Sequence, residues 1–108
     1  MDKEIMKGSI DILLLSIVSQ KDTYGYEIVK EINAKSNNLY NMSEGTLYPA
    51  LKRLENKNLV ECYWIDLENG SRRKYYRITE KGKKGLSIKI DDWHKVDRLI
   101  ELCLGGLA

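Results

Sequence analysis

The chain of 108 residues has one histidine, His94, and two cysteines, Cys62 and Cys103. A single imidazole beside Trp93, with no serine, cysteine or carboxylate placed to work with it, leaves a hydrolytic triad without its parts. The cysteines are far apart and lack metal-ligand spacing. Each lies in an apolar stretch, so both read as small buried hydrophobes of a reducing cytoplasm. A glycine-rich phosphate loop and a dinucleotide fingerprint are missing too. The run from Ile10 to Val18 is short of the ~20 residues that cross a bilayer, and the start has no signal-peptide core. Charge of one sign is also scarce: a net +2 does not by itself argue for an acidic partner. The expectation is a protein without catalytic group, metal or cofactor, and without a membrane span.

What is present is patterned. Apolar residues make up 43% and charged residues 31%, which suits one folded domain and argues against disorder of the whole chain. Helical periodicity runs from about Glu4 to Gln20, with Ile10, Leu13, Leu14, Ile17 and Val18 on one face. Ile5, Ile12 and Leu15 carry apolar surface round to the other side, so this helix is expected to pack on two faces. Thr23 is the predicted N-cap of a second helix, about Tyr24 to Lys35, with Ile28, Val29 and Ile32 inward. Ser36-Asn37-Asn38 is a polar stop. Ser43 is the predicted cap of a third helix, with Leu47, Ala50, Leu51 and Leu54 on its core side, ended by Asn56-Lys57-Asn58.

From Leu59 the character changes. Leu59 to Ile65 and Lys74 to Ile78 are rich in strand formers, and Asn69-Gly70 between them is a hairpin signal. Three helices followed by a hairpin is the order of a winged helix-turn-helix. Thr79 then caps a last helix to about Leu104, where Leu86, Ile90, Trp93, Asp97, Ile100 and Leu104 form a heptad-like seam widened by Val96, Leu99, Cys103 and Leu107. At ~1.5 Å per residue it is about 37 Å long, more than a domain of the preceding residues covers, and the surplus predicts a partner, most simply a second copy. The fold class is therefore mainly α with a small β-hairpin. Residues 1–78 form a winged helix-turn-helix domain and residues 79–108 a dimerisation helix, with Leu86, Ile90, Trp93, Val96, Ile100 and Leu104 at the dimer interface.

Charge is distributed unevenly along this plan. Arg72, Arg73, Lys74, Arg77, Lys81, Lys83, Lys84 and Lys89 face only Glu80 in their stretch, whereas Glu61, Asp66 and Glu68 just before carry no base. A basic stripe of this kind neutralises phosphates while the net charge stays small. With Leu47, Leu51 and Leu54 inward, the third helix turns Gly45, Pro49, Lys52 and Asn56 outward, flanked by Tyr48 on one side and Thr46 and Arg53 on the other. Pro49 costs ~3 kcal/mol in a helix interior, and Gly45 four residues earlier relieves part of that strain. The outer surface is left flat enough for close approach to a groove; the plain alternative is a slightly irregular exposed helix. Arg72, Arg73 and Lys74 beside the hairpin tip are candidates for phosphate or minor-groove contact, against a merely solvated charge run. Tyr24 and Tyr26 are candidates to donate to phosphates, or to pack.

Three blocks carry a resemblance over nearly the whole chain and in order: Tyr24-Gly25-Tyr26-Glu27-Ile28, Glu44-Gly45-Thr46-Leu47-Tyr48-Pro49-Ala50-Leu51-Lys52-Arg53-Leu54-Glu55, and Arg72-Arg73-Lys74-Tyr75-Tyr76-Arg77-Ile78-Thr79. They resemble the PadR family of bacterial transcriptional regulators, the middle block being the most specific. The resemblance implies a dimeric repressor on an inverted-repeat double-stranded DNA operator, with DNA contacts from the residues named above and Ser43. Trp93 with Val96-Asp97-Arg98-Leu99-Ile100-Glu101 resembles the small, multidrug-binding members. It implies that Trp93 stacks on planar aromatic ligands, that Asp97 partners cationic ones, and that Ile5, Ile12 and Ser16 line the walls. The alternative for Trp93 is a dry dimer core, with Asp97 paired to Arg98 or Lys95 across it. The rival to DNA binding is a winged helix used for protein contacts, which usually lacks the basic wing and polar helix face seen here.

Overall fold

The computed structural model describes residues 1–106, so Leu107 lies outside the described residues. Helix α1 spans Lys3–Gln20 and starts on Asp2, whose carboxylate accepts from the Glu4 and Ile5 amides at 2.8 and 3.2 Å. Such a cap satisfies amides that a helix start leaves unpaired. Helices α2 (Gly25–Lys35) and α3 (Glu44–Asn56) follow. Ser43 caps α3 as predicted, its Oγ accepting from Thr46 N at 3.3 Å. Asn37, Asn38 and Asn58 take left-handed φ values of 51°, 64° and 61° just beyond the ends of α2 and α3. Asparagine tolerates that region better than other side chains with a Cβ, which is why both polar stops are built from it.

Thr23 requires a correction. The residue capping α2 is Tyr24, and its side chain makes no capping bond. Thr23 is instead buried, and its backbone N and O pair with Tyr76 O and N at 3.2 and 2.7 Å. A one-residue bridge to the hairpin takes the groups that a local capping pattern would have used.

Strands β1 (Val60–Asp66) and β2 (Arg72–Ile78) pair antiparallel, in a register from Val60↔Ile78 to Asp66↔Arg72. In the connection, Gly70 donates to Leu67 O at 3.0 Å, Leu67 N donates to Ser71 O at 2.8 Å, and Gly70 has φ +86°. Asn69 is not left-handed, so the loop is the kind in which one glycine closes a longer turn. Helix α4 spans Glu80–Cys103, capped as predicted by Thr79, whose Oγ1 accepts from Gly82 N at 2.9 Å.

The core gathers Leu14, Leu15 and Val18 of α1, Ile28 and Ile32 of α2, Leu47, Leu51 and Leu54 of α3, and Val60 and Tyr76 of the hairpin. Adjacent Leu14 and Leu15 are both fully buried, as expected of a helix packed on two faces. Leu86 also belongs to this core at 8% exposure, which corrects its place on the interface seam. With Gly82 buried beside it, the opening turns of α4 complete the domain, so the packing does not divide at Ile78. From Ile90 to Gly106 every described residue is exposed, among them Trp93, Val96, Leu99 and Ile100. Cys103 is in this stretch and therefore exposed, against expectation, while Cys62 is half-buried. Among the described residues no helix is long and apolar enough to cross a membrane.

Candidate nucleic-acid interface

The outer face of α3 is built as the periodicity predicts. Gly45, Thr46, Tyr48, Pro49, Lys52, Arg53 and Asn56 are all exposed, and Pro49 is accommodated inside the helix. Ser43 is exposed at its start but engaged as the cap. Tyr48 is oriented by the absence of a side chain opposite: its ring fills the space a Cβ on Gly25 would occupy, with the hydroxyl oxygen 2.6 Å from that position. The glycine at the start of α2 thus seats an outer-face side chain of α3.

Arg53 departs from the expected arrangement. Its guanidinium donates to Asp11 Oδ1 at 2.8 Å, an ion pair that ties α3 to α1. Periodicity placed Arg53 at the edge of the outer face correctly, but the side chain leans towards the helix behind. Lys52 remains at the surface, 3.9 Å from Glu55.

The wing carries Arg72 and Lys74 on the hairpin face of Trp64 and Arg73 on the opposite face, and all three border one groove. The Arg73 guanidinium lies 4.0 Å from the centre of the Tyr24 ring, and Arg72 lies 4.9 Å from that of Trp64. Such stacking favours a cation over the ring face while leaving its N–H groups free to donate. Arg72 also reaches Asp66 at 3.4 Å, both well exposed, a pair that water and salt weaken. Lys74 Nζ is 3.6 Å from Glu55 on α3, linking wing to recognition helix. On the other face of the hairpin, Tyr63 Oη and Arg77 Nε both donate to Asp22 Oδ2, at 2.6 and 3.2 Å, anchoring the wing to the turn after α1. Tyr24 is half-buried, 5.4 Å from the Tyr75 ring, and so packs as well as facing the wing; Tyr26 is 69% exposed.

Glu55 is a junction that periodicity did not single out. The Cys62 thiol donates to it at 3.1 Å, and this bond, helped by Lys74 and Lys52 against the effect of burial, holds the carboxyl below its ordinary range. Burial first, then the same bond, pushes Cys62 up to about 11, so the thiol stays protonated at neutral pH. Trp64 was likewise missed as a functional candidate; it is 53% exposed on the wing beside Arg72 and Lys74.

A separate apolar cavity of roughly 500 Å³ opens along α1, bordered by the end of α2, by Tyr40 and by Trp93 of α4, and Ile5, Ile12, Ser16 and Trp93 all line it. Asp97 is not among its lining residues. Within the single chain Lys95 and Arg98 lie 3.5 and 3.9 Å from Asp91 and Glu101. Ile12 and Trp93 also form the wall of a smaller polar recess of roughly 260 Å³, which holds Asp11 and Arg53.

Comparison with known proteins agrees with this geometry. Residues 14–88 match the model of the transcriptional regulator PadR-like family. A transcriptional regulator from Clostridium thermocellum superposes with a TM-score of 0.87 at 37% identity, covering 94% of this chain and 95% of that one. A PadR family transcription regulator from hypervirulent Clostridium difficile gives 0.76 at 42% identity, covering 89% and 98%. Protein X of Lysinibacillus sphaericus is 42% identical over 104 residues, 96% of this chain and 95% of the relative. The winged helix, its basic wing and its exposed α3 face are those of a DNA-binding regulator, and the chain belongs to the PadR-like family of transcriptional regulators.

Proposed function

We propose that the chain is a cytoplasmic repressor that binds an inverted-repeat operator as a homodimer, and that planar aromatic ligands, cationic ones included, release it. The observation that carries the DNA reading is convergence. Tyr48 of the exposed α3 face and the three wing bases border one groove, and Lys74 reaches Glu55 of α3. In this reading residues 1–78 with the opening turns of α4 hold the DNA, and the rest of α4 pairs with a second copy. Its exposed Ile90, Trp93, Val96, Ile100 and Leu104 support that pairing, since so large an apolar face is unusual on a monomer. Two recognition helices then meet successive major grooves about 34 Å apart.

Phosphate binding by the wing is tested by salt dependence. Replacing Arg72→Ala and Arg73→Ala together should weaken duplex binding and lower the slope of log affinity against log salt by about 2. An unchanged slope and affinity would leave a winged helix that serves protein contacts instead.

The ligand reading rests on the cavity that gathers Ile5, Ile12, Ser16 and Trp93, with Asp97 on the exposed stretch of α4 beyond it. The route to DNA is short. Asp11, next to Ile12 of the cavity wall, holds Arg53 of α3. A ligand acts only through its difference in affinity for the two arrangements of that link. Trp93→Ala should abolish both dye-induced quenching of protein fluorescence and ligand release of DNA while DNA binding itself persists. A variant that still responds to every dye that acts on the wild type would remove Trp93 from the ligand site.

A further inference from the structure

Between the wing and the start of α2 and α3 lies a groove of roughly 600 Å³ in which the candidate DNA contacts of the wing and helices gather round Trp64, a residue the recognition-helix reading leaves unexplained. One wall is Trp64, Arg72 and Lys74; Tyr24, Tyr26 and Tyr48 stand opposite. Register explains the first wall. Trp64 pairs directly with Lys74, and Asp66 with Arg72, so alternate residues of both strands turn to this side. The Trp64 ring has Arg72 at 4.9 Å and Lys74 Nζ at 6.0 Å from its centre, yet the residue is 53% exposed. Most tryptophan in a small domain is buried because the indole is costly to hydrate. Here a half-exposed indole lies at the lip of a groove with two cations near its ring.

The groove mixes cations, phenol groups and an aromatic face, and no carboxylate is among its lining side chains in the described residues. That chemistry complements a sugar-phosphate strand, with the cations and hydroxyls matching phosphate oxygens and the ring faces matching the apolar side of deoxyribose. We propose that this groove clamps one strand of the DNA backbone and that Trp64 is a DNA-contacting residue, packing its indole on deoxyribose while Arg72 and Lys74 take the adjacent phosphates. Asp66, now 3.4 Å from Arg72, gives way to the phosphate when the strand enters, while Lys74 keeps Glu55 at 3.6 Å on one side and offers its remaining N–H groups to the phosphate on the other. The inference rests on the DNA-binding reading and adds to it an apolar, salt-independent contact.

The test uses the full-length protein and a fluorescently labelled, mixed-sequence DNA duplex at low salt. Label anisotropy reports binding, and tryptophan emission with acrylamide quenching reports Trp64, taken as the difference between wild type and Trp64→Phe. Binding should change that difference signal with the same midpoint as the anisotropy and cut acrylamide access to Trp64 several-fold. Trp64→Ala should bind on the order of tenfold more weakly with its salt slope unchanged, because the lost contact is apolar. Arg72→Ala should instead lower the slope by about 1. A duplex that binds by anisotropy while Trp64 emission and acrylamide access stay the same overturns the inference alone. Should the wild type fail to bind the duplex at all, the DNA-binding reading falls and the inference with it.

Discussion

Gly82→Ala is expected to destabilise the protein by about 3–5 kcal/mol, a large part of the stability of a domain this size. In an ordinary helix the same change gains up to ~1 kcal/mol, so the sign is diagnostic. Gly82 sits in the first turn of α4, where its amide is held by Thr79 Oγ1. A Cβ there would lie well inside contact distance of the Leu59 carbonyl oxygen and 2.8 Å from Ile78 Cγ1. Neither neighbour is free to move. Leu59 O accepts from Thr79 N at 3.1 Å, and the corner before it is fixed by Thr79 Oγ1 donating to Asn58 O at 2.7 Å and by Lys81 Nζ donating to Lys57 O at 2.9 Å. Ile78 is a core residue. Gly85, one turn on, provides the control: a Cβ there meets only Leu59 Cδ2 at an ordinary 3.6 Å. Urea unfolding of the two alanine variants should show opposite changes in midpoint. Equal midpoints would mean that α4 does not approach Leu59 this closely.

Ile100→Glu should convert the proposed homodimer to monomer and weaken operator binding by on the order of 100-fold. Ile100 is 53% exposed, on the stretch of α4 in which every described residue is exposed. The single chain therefore loses little stability from the change. In a dimer the new carboxylate would be buried without a partner, a penalty of several kcal/mol. The DNA effect follows because two linked half-sites bind far more tightly than one, and the linkage is what the substitution removes. Sedimentation or light scattering reads the mass; anisotropy on an operator duplex reads the affinity. A variant that keeps the wild-type mass and affinity would place the dimer interface elsewhere. Leu86 is unsuitable for this test because it is buried within the single chain, where its loss acts on folding.

Much of this architecture was legible from short-range patterns. Helical spacing of Leu47, Leu51 and Leu54 fixes which side of α3 faces out, and the caps Ser43 and Thr79 are local bonds reaching three residues ahead. The hairpin follows from two strand-like runs and a glycine able to take positive φ. Such features depend on residues close together in the chain, so the sequence by itself determined the element order, the exposed outer face of α3 and the basic wing.

Tertiary structure decided what long-range pairing controls. Thr23 has the side chain of a cap, but its backbone bonds to Tyr76 decide its role. Arg53 has the position of a DNA contact, yet the carboxylate of Asp11, far back in the chain, holds its guanidinium. Leu86 fits a heptad as well as Ile90 does, and only the packing of α4 against the core separates a buried residue from an exposed one. Trp64 and Glu55 gained their candidate roles the same way, when strand register and the approach of α3 set them beside Arg72, Lys74 and Cys62. Periodicity specifies which way a side chain points. Which group it meets there depends on segments that approach only when the chain has folded.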